Sequence, residues 1–171
     1  RLNHTISSFL AYARPQRLAA ARLDVCKVVE DTAVLLRNSA DVRPEHEIAL
    51  ALPDEPVWYE ADESQLRQVI WNLATNGLRA MAERGRRLLL AVRAGEDGAG
   101  DVVMEVQDEG CGIPGDELDA IFQPFRSSFI RGTGLGLAIV HRTISDHGGR
   151  ITVGESSLGG ARFVVELPLP G

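Results

Sequence analysis

Gln65, Gln68, Asn72, Asn76 and Arg79 are separated by steps of 3, 4, 4 and 3, which lines them along one face of a helix. Leu66, Val69, Ile70, Leu73 and Met81 fall mostly on the other side. Taken alone, such a polar face is either solvated or the wall of a site. Asparagine has a low helix propensity, however, and two of them one turn apart suit neutral oxygen ligands aimed at a cation or a polar ligand. A second segment, Asp108-Glu109-Gly110-Cys111-Gly112-Ile113-Pro114, puts two glycines just after an acid. They permit an ordinary turn or a close approach of backbone to ligand. A third, Gly132-Thr133-Gly134-Leu135-Gly136-Leu137, opens an apolar helix, and exposed N–H groups at a helix N-terminus suit phosphate. No Lys-Ser/Thr pair follows it, so it is not a Walker loop, and the glycine spacing of a dinucleotide fingerprint is absent.

These residues need elements to hold them. Leu2, Ile6, Phe9 and Ala13 predict a helix over 1–13, ended by Arg14-Pro15. Residues 16–23 read as a linker. A second helix is expected from Asp24, as N-cap, through Val25, Val28, Val29, Ala33 and Leu36. Alternation predicts strands at 47–52 and 57–59. The polar-faced helix is expected over 62–84, followed by a hairpin of Leu88–Ala94 and Val102–Asp108 around the glycine-rich 95–100. A loop region, 109–133, precedes a helix over 134–147 and strands near 150–156 and 161–167. Helices with a mostly antiparallel sheet make an α/β (α+β) two-layer sandwich the expected fold.

The chain has 171 residues, 44% of them apolar and 25% charged, enough apolar surface for a real core. Its net charge of −6 argues against a duplex nucleic-acid binder, which needs clustered positive charge. The longest apolar run, Leu88 to Val92, is far short of the ~20 residues that cross a bilayer. Cys26 and Cys111, the two cysteines, have no pair spacing, which argues against a disulfide framework or zinc cluster and fits a reducing compartment. Arg1 is not an initiator residue, so a piece of a longer protein is expected.

In order and spacing the three segments resemble the nucleotide-binding half of the sensor histidine kinases, which share a sandwich fold with the gyrase, Hsp90 and MutL ATPases. Asn72-Leu73-Ala74-Thr75-Asn76-Gly77-Leu78-Arg79-Ala80 is similar to the N box, and Asp108 to Ile113 to the D-x-G-x-G-[IV] box. Ile121-Phe122-Gln123-Pro124-Phe125 is similar to the F box, and Gly132 to Leu137 to the second glycine box. His147-Gly148-Gly149-Arg150-Ile151 and Gly159-Gly160-Ala161-Arg162-Phe163 fit the family's ending. The likeness covers roughly residues 24–169. It implies ATP and Mg2+ as ligands, with Asn76 on the metal and Asp108 accepting from the adenine amino group. Gly110, Gly112 and Ile113 would close on the base. Gly132, Thr133, Gly134, Leu135, Gly136 and Leu137 would wrap the phosphates, with Arg79 where the family often has a phosphate-contacting cation. Asn72 occupies the place of a water-activating Glu in the Hsp90-like ATPases. An amide cannot take a proton at neutral pH, so hydrolysis should be slow.

Three positions depart from the family. Phe129 stands where a lid lysine is usual, leaving Arg126 or Arg131 to supply any cation there. Ala80 replaces an aromatic that stacks on adenine in some branches, and Ala161 a common Thr near the base. His46-Glu47-Ile48 imitates the start of the family's phospho-acceptor pattern H-E-x-x-N-P-L but lacks the Asn-Pro and lies in a predicted strand, so it is rejected as the acceptor. His4 lacks the following acid.

The resemblance therefore implies three parts: residues 1–15 as the end of a dimerisation and histidine-phosphotransfer hairpin, 16–23 as a linker, and 24–171 as the catalytic ATP-binding domain. The acceptor histidine would lie outside the chain. The implied activity is a histidine protein kinase acting on its own phosphotransfer domain and, through it, on a response regulator. The parent would be a homodimer, and this domain cytoplasmic, with membrane anchoring of the parent left open. Two alternatives share the fold: a non-catalytic ATP-binding signalling scaffold, motivated by Phe129, and an anti-sigma-type serine kinase.

Overall fold

Apolar residues at helical spacing account for three helices of the computed structural model, whose described residues are 20–94, 101–118, 120–123 and 135–168. The first, α1 (Val25–Arg37), is capped by Asp24, whose carboxylate accepts the Cys26 N–H at 3.0 Å. It buries Val25, Val28, Val29, Ala33 and Leu36 in one stripe. The second, α2 (Glu63–Ala80), is capped by Asp62 through the Gln65 N–H, and buries Leu66, Val69, Ile70, Leu73 and Leu78. The third, α3 (Gly136–Asp146), buries Ala138, Ile139, Val140 and Ile144. α2 is the middle helix, packed against both others.

Among the described residues there are seven strands: β1 (Ala21–Asp24), β2 (Glu47–Ala51), β3 (Trp58–Ala61), β4 (Arg87–Ala94), β5 (Val102–Gln107), β6 (Arg150–Glu155) and β7 (Ala161–Leu167). β1 and β3 form a small antiparallel pair. The other five make one sheet in the order β2-β4-β5-β7-β6. Only β2 with β4 is parallel; the remaining pairs are antiparallel. Period-two alternation sends Leu88, Leu90 and Val92, then Val102, Met104 and Val106, then Phe163, Val165 and Leu167 into the core under the helices. Their neighbours in sequence, including Arg93, Glu105 and Arg162, lie on the opposite sheet face. This is the expected two-layer α/β sandwich. Truncating a core residue such as Leu73 to Ala would cost about 2–5 kcal/mol.

The linker expectation over 16–23 needs correcting at its end, because Ala21–Leu23 belong to β1. The pairing partner lies far along the chain: Ala21 faces Ala61 and Asp24 faces Trp58. The Arg22 guanidinium covers the Trp58 ring, 4.8 Å from its centroid. Residues 1–15, read as a hairpin-helix end, lie outside the described residues, as do 16–19. α2 stops at Ala80 rather than 84, since Gly85, with φ +94°, turns the chain into β4. α3 starts at Gly136 rather than 134. Among the described residues, no helix is long and apolar enough to cross a membrane.

Candidate functional site

The centre of the site is Asp108, the first residue beyond β5, pointing inward from the sheet and only 3% exposed. Its Oδ1 accepts the Gly110 N–H at 2.8 Å and the Ala161 N–H at 3.3 Å. Its main chain is pinned to the start of β7 on both sides: the Asp108 N–H donates to the Ala161 carbonyl, and the Gly160 N–H to the Asp108 carbonyl, each at 3.1 Å. Burial pushes the Asp108 carboxyl above the ordinary aspartate value, against the opposing pull of the Gly110 and Ala161 amides. Both of those hydrogen bonds use Oδ1, so Oδ2 is the oxygen positioned to accept from a ligand.

Glycines make that arrangement possible. A Cβ on Gly160 would lie 2.1 Å from Asp108 Oδ1, and one on Gly110 would lie 2.6 Å from the Ala80 carbonyl oxygen. In α2, Gly77 faces Asp108 directly; a Cβ there would come 3.5 Å from Oδ2 and 2.6 Å from Leu88 Cδ1. Gly112 has φ +74°, a conformation side chains rarely adopt. Gly77 and Gly160 belong to the N box and to the family's ending, but the sequence alone assigns neither a role. A glycine inside a helix costs about 1 kcal/mol against Ala, and that cost at position 77 was the available signal.

The polar face of α2 runs alongside. Asn72, Asn76 and Arg79 are half-buried and Gln65 is buried, which is not the profile of a freely solvated face. The Asn72 Nδ2 donates to the Gly136 carbonyl at 3.3 Å, tying this face to the first turn of α3. Asn76 lies one helical turn further on, immediately before Gly77. Arg79 is held by Asp41, Nε to Oδ1 at 3.4 Å, an ion pair that sequence spacing does not reveal. Leu135, fully buried, and the half-buried Leu137 anchor the start of α3, while Ile113 packs against the core. Gly132, Thr133 and Gly134, together with Arg126, Phe129 and Arg131, lie outside the described residues. Gly77 and Gly110 thus set the sheet-facing side and the end of α2 against the Asp108 segment, while Asn72 meets the start of α3.

Among the described residues there is no cluster of three or more His, Cys, Asp or Glu side chains able to cage a metal. An amide oxygen from Asn76 is a hard ligand of the kind magnesium accepts when phosphates and water complete its shell. His46, the imitation acceptor, is engaged structurally: its Nδ1 accepts the Arg43 N–H at 3.1 Å and its Nε2 lies 3.2 Å from the Met81 carbonyl oxygen. His147 ends α3, with Nδ1 2.8 Å from the Thr143 carbonyl.

Comparison with known proteins shows the family that the chain resembles. Residues 61–171 match the model described as histidine kinase-, DNA gyrase B-, and HSP90-like ATPase. The chain is 37% identical over 169 residues to the sensor histidine kinase ZraS of Escherichia coli O157:H7, covering 99% of this chain and 36% of that protein. The crystal structure of full-length ShkA in complex with AMPPNP superposes with a TM-score of 0.82 at 32% identity, over 98% of this chain and 35% of that one. The histidine kinase ThkA, in complex with the response regulator protein TrrA, gives a TM-score of 0.81 at 25% identity, over 99% and 48%. The chain spans about a third of the length of the curated relative it matches.

Proposed function

The chain belongs to the histidine kinase-, DNA gyrase B- and HSP90-like ATPase family, and from that premise we propose that it is the ATP-binding catalytic domain of a sensor histidine kinase. It would transfer the γ-phosphoryl group of ATP to a histidine outside these 171 residues, for relay to a response regulator. The observation that carries this reading is Asp108: a buried carboxylate with one oxygen consumed by two backbone amides and the other left for an incoming donor. An adenine amino group is such a donor, whereas the carbonyl of guanine at the same place would be repelled.

The remaining residues take roles around the base. Gly77 and Gly160 keep Cβ atoms away from the acid, and Gly110 keeps one away from the Ala80 carbonyl at the end of α2. Gly112 and Ile113 border the base. Leu135 to Leu137, with Gly132 to Gly134 before them, would bring the α3 N-terminus to the phosphates. Asn76 would hold a magnesium ion, which when bound neutralises phosphate charge. Arg79, steadied by Asp41, would add positive charge nearby. Phosphoryl transfer depends mostly on positioning and charge stabilisation. With Asn72 unable to deprotonate water, and its amide donating to Gly136, the phosphoryl group is reserved for the protein acceptor. Residues 1–15 would then be the end of the acceptor hairpin, through which the parent dimerises and meets its response regulator.

The test is incubation with γ-labelled ATP, with and without a fragment carrying the upstream acceptor hairpin. The chain alone should bind Mg-ATP, hydrolyse it slowly and remain unlabelled. The added fragment should acquire acid-labile, base-stable label. Label stable to acid would indicate a serine kinase instead, and bound ATP without any transfer to a folded fragment would indicate a scaffold.

A further inference from the structure

Glu109 is the second residue of the Asp108 segment, and its side chain points back to the start of β4. In the β4–β5 ladder Leu89 faces Gln107, so the same register, continued by one pair of steps, would set Glu109 opposite Arg87. The ladder does not continue, because β5 ends at Gln107 and the chain turns away toward the helices. The amides at the start of β4 would lose their partners there. Instead, Glu109 Oε1 accepts both of them: the Arg86 N–H at 3.1 Å, and the Arg87 N–H. The Glu109 N–H in turn donates to Met81 Sδ at 3.4 Å, just past the end of α2. Gly85 lets this happen, since a Cβ there would stand 2.5 Å from the Glu109 carbonyl oxygen.

We propose that Glu109 is a positioning residue for base recognition: its carboxylate replaces the missing ladder and so fixes where Asp108 presents Oδ2. The Asp108–Gly110 backbone is held from two sides. β7 fastens it through Ala161 and Gly160, and the Glu109 clamp fastens it to β4 and the end of α2. The β7 attachment uses backbone groups and the Asp108 carboxylate itself, whereas the second passes through the Glu109 side chain, which can be substituted without altering the acid. The proposal rests on the reading of Asp108 as the adenine acceptor.

The experiment compares ATP with purine riboside triphosphate, which lacks the exocyclic amino group, in calorimetric titrations. Wild-type protein should prefer ATP by about tenfold, the loss expected for one hydrogen bond to a charged group. Glu109→Ala should bring that ratio close to one, whereas a purely structural defect would weaken both ligands equally and keep the ratio. Glu109→Gln retains an oxygen that can accept both amides and should restore the preference. Should Glu109→Ala fail to fold, Glu109→Asp, whose carboxylate is withdrawn by one methylene, is measured in its place and should also lose the preference. An undiminished ratio in the folded variant overturns the proposal. So does a failure of both variants to fold beside a folded Glu109→Gln, which assigns the clamp to folding alone. Wild-type protein that shows no preference at all strikes instead at the reading of Asp108.

Discussion

Glu105 and Asp108 sit three residues apart on and just beyond the same strand, and the fold treats them in opposite ways. Glu105 lies on the outer sheet face, between Arg93 at 3.5 Å and Arg162. Burial pushes its carboxyl up, but the two guanidinium groups outweigh that and hold it below the ordinary glutamate value. Asp108 faces the helices and, among the described residues, is answered by backbone amides rather than a cation, so burial dominates and its carboxyl is raised. Glu105 is supplied with its counter-charge by the chain. Asp108 is left partly unanswered, at a cost in stability that a bound ligand would offset.

Glycines give the largest contrast between the two faces. Gly160→Ala would drive a methyl group into Asp108 and should cost about 2–3 kcal/mol of stability, with ATP binding impaired. Gly154, paired with Arg162 on β6, has open space around its Cβ position. Gly154→Ala should change stability by less than about 0.5 kcal/mol. Urea denaturation of both variants checks the pair, and equal losses would erase the distinction between the faces.

Next in size is the metal. Asn76→Ala should weaken Mg-ATP binding by about 1.5–3 kcal/mol while stability barely moves, because this half-buried amide contributes little packing. Titration calorimetry with and without magnesium measures it; unchanged affinity removes Asn76 from the site. A smaller effect belongs to Glu105→Gln, which should lower stability by about 0.5–1 kcal/mol, since both arginines remain largely solvated, and leave ATP affinity unaltered.

The smallest effects are in pH dependence, and their signs oppose. Glu105, with its lowered value, stabilises the fold above the ordinary glutamate range and loses that contribution as pH falls through its folded value. The gap between wild type and Glu105→Gln should therefore close on acidification. Asp108, with its raised value, makes its fullest contribution below the ordinary aspartate range and loses it as pH rises through its folded value. Wild type should gain on Asp108→Asn as the solution is acidified. Denaturant midpoints followed from about pH 2 to about pH 7, which spans both sides of the ordinary carboxylate range, would show both trends, and parallel slopes would refute the contrast.

Much of this was legible in the chain. Asp24 caps α1 as its side-chain chemistry requires, and the stripe on α2 and the alternation in β4, β5 and β7 fall where periodicity puts them. Spacing showed the amide face and the two glycine segments, and the family resemblance gave them their expected roles. β1 could not, because a four-residue strand with one large apolar side chain carries no alternation signal, and its partner lies nearly 40 positions away. The Arg79–Asp41 pair and the Glu109 clamp join residues from different elements, so no local pattern encodes them. The meaning of Gly160 depends on an acid 52 residues earlier in the chain. Long-range geometry decides such cases, whereas local periodicity decides the elements.

The central claim, that Asp108 reads the adenine of a bound nucleotide, is tested most directly by titrating ATP and ADP into wild-type protein and Asp108→Asn. The substitution keeps the shape and leaves an oxygen for the Gly110 and Ala161 amides, but sets an NH2 donor against the adenine amino group. Both nucleotides should lose affinity together, by about 1.5–3 kcal/mol, because the phosphates take no part. Retained binding of both, or a loss confined to ATP while ADP binds as before, would contradict the account.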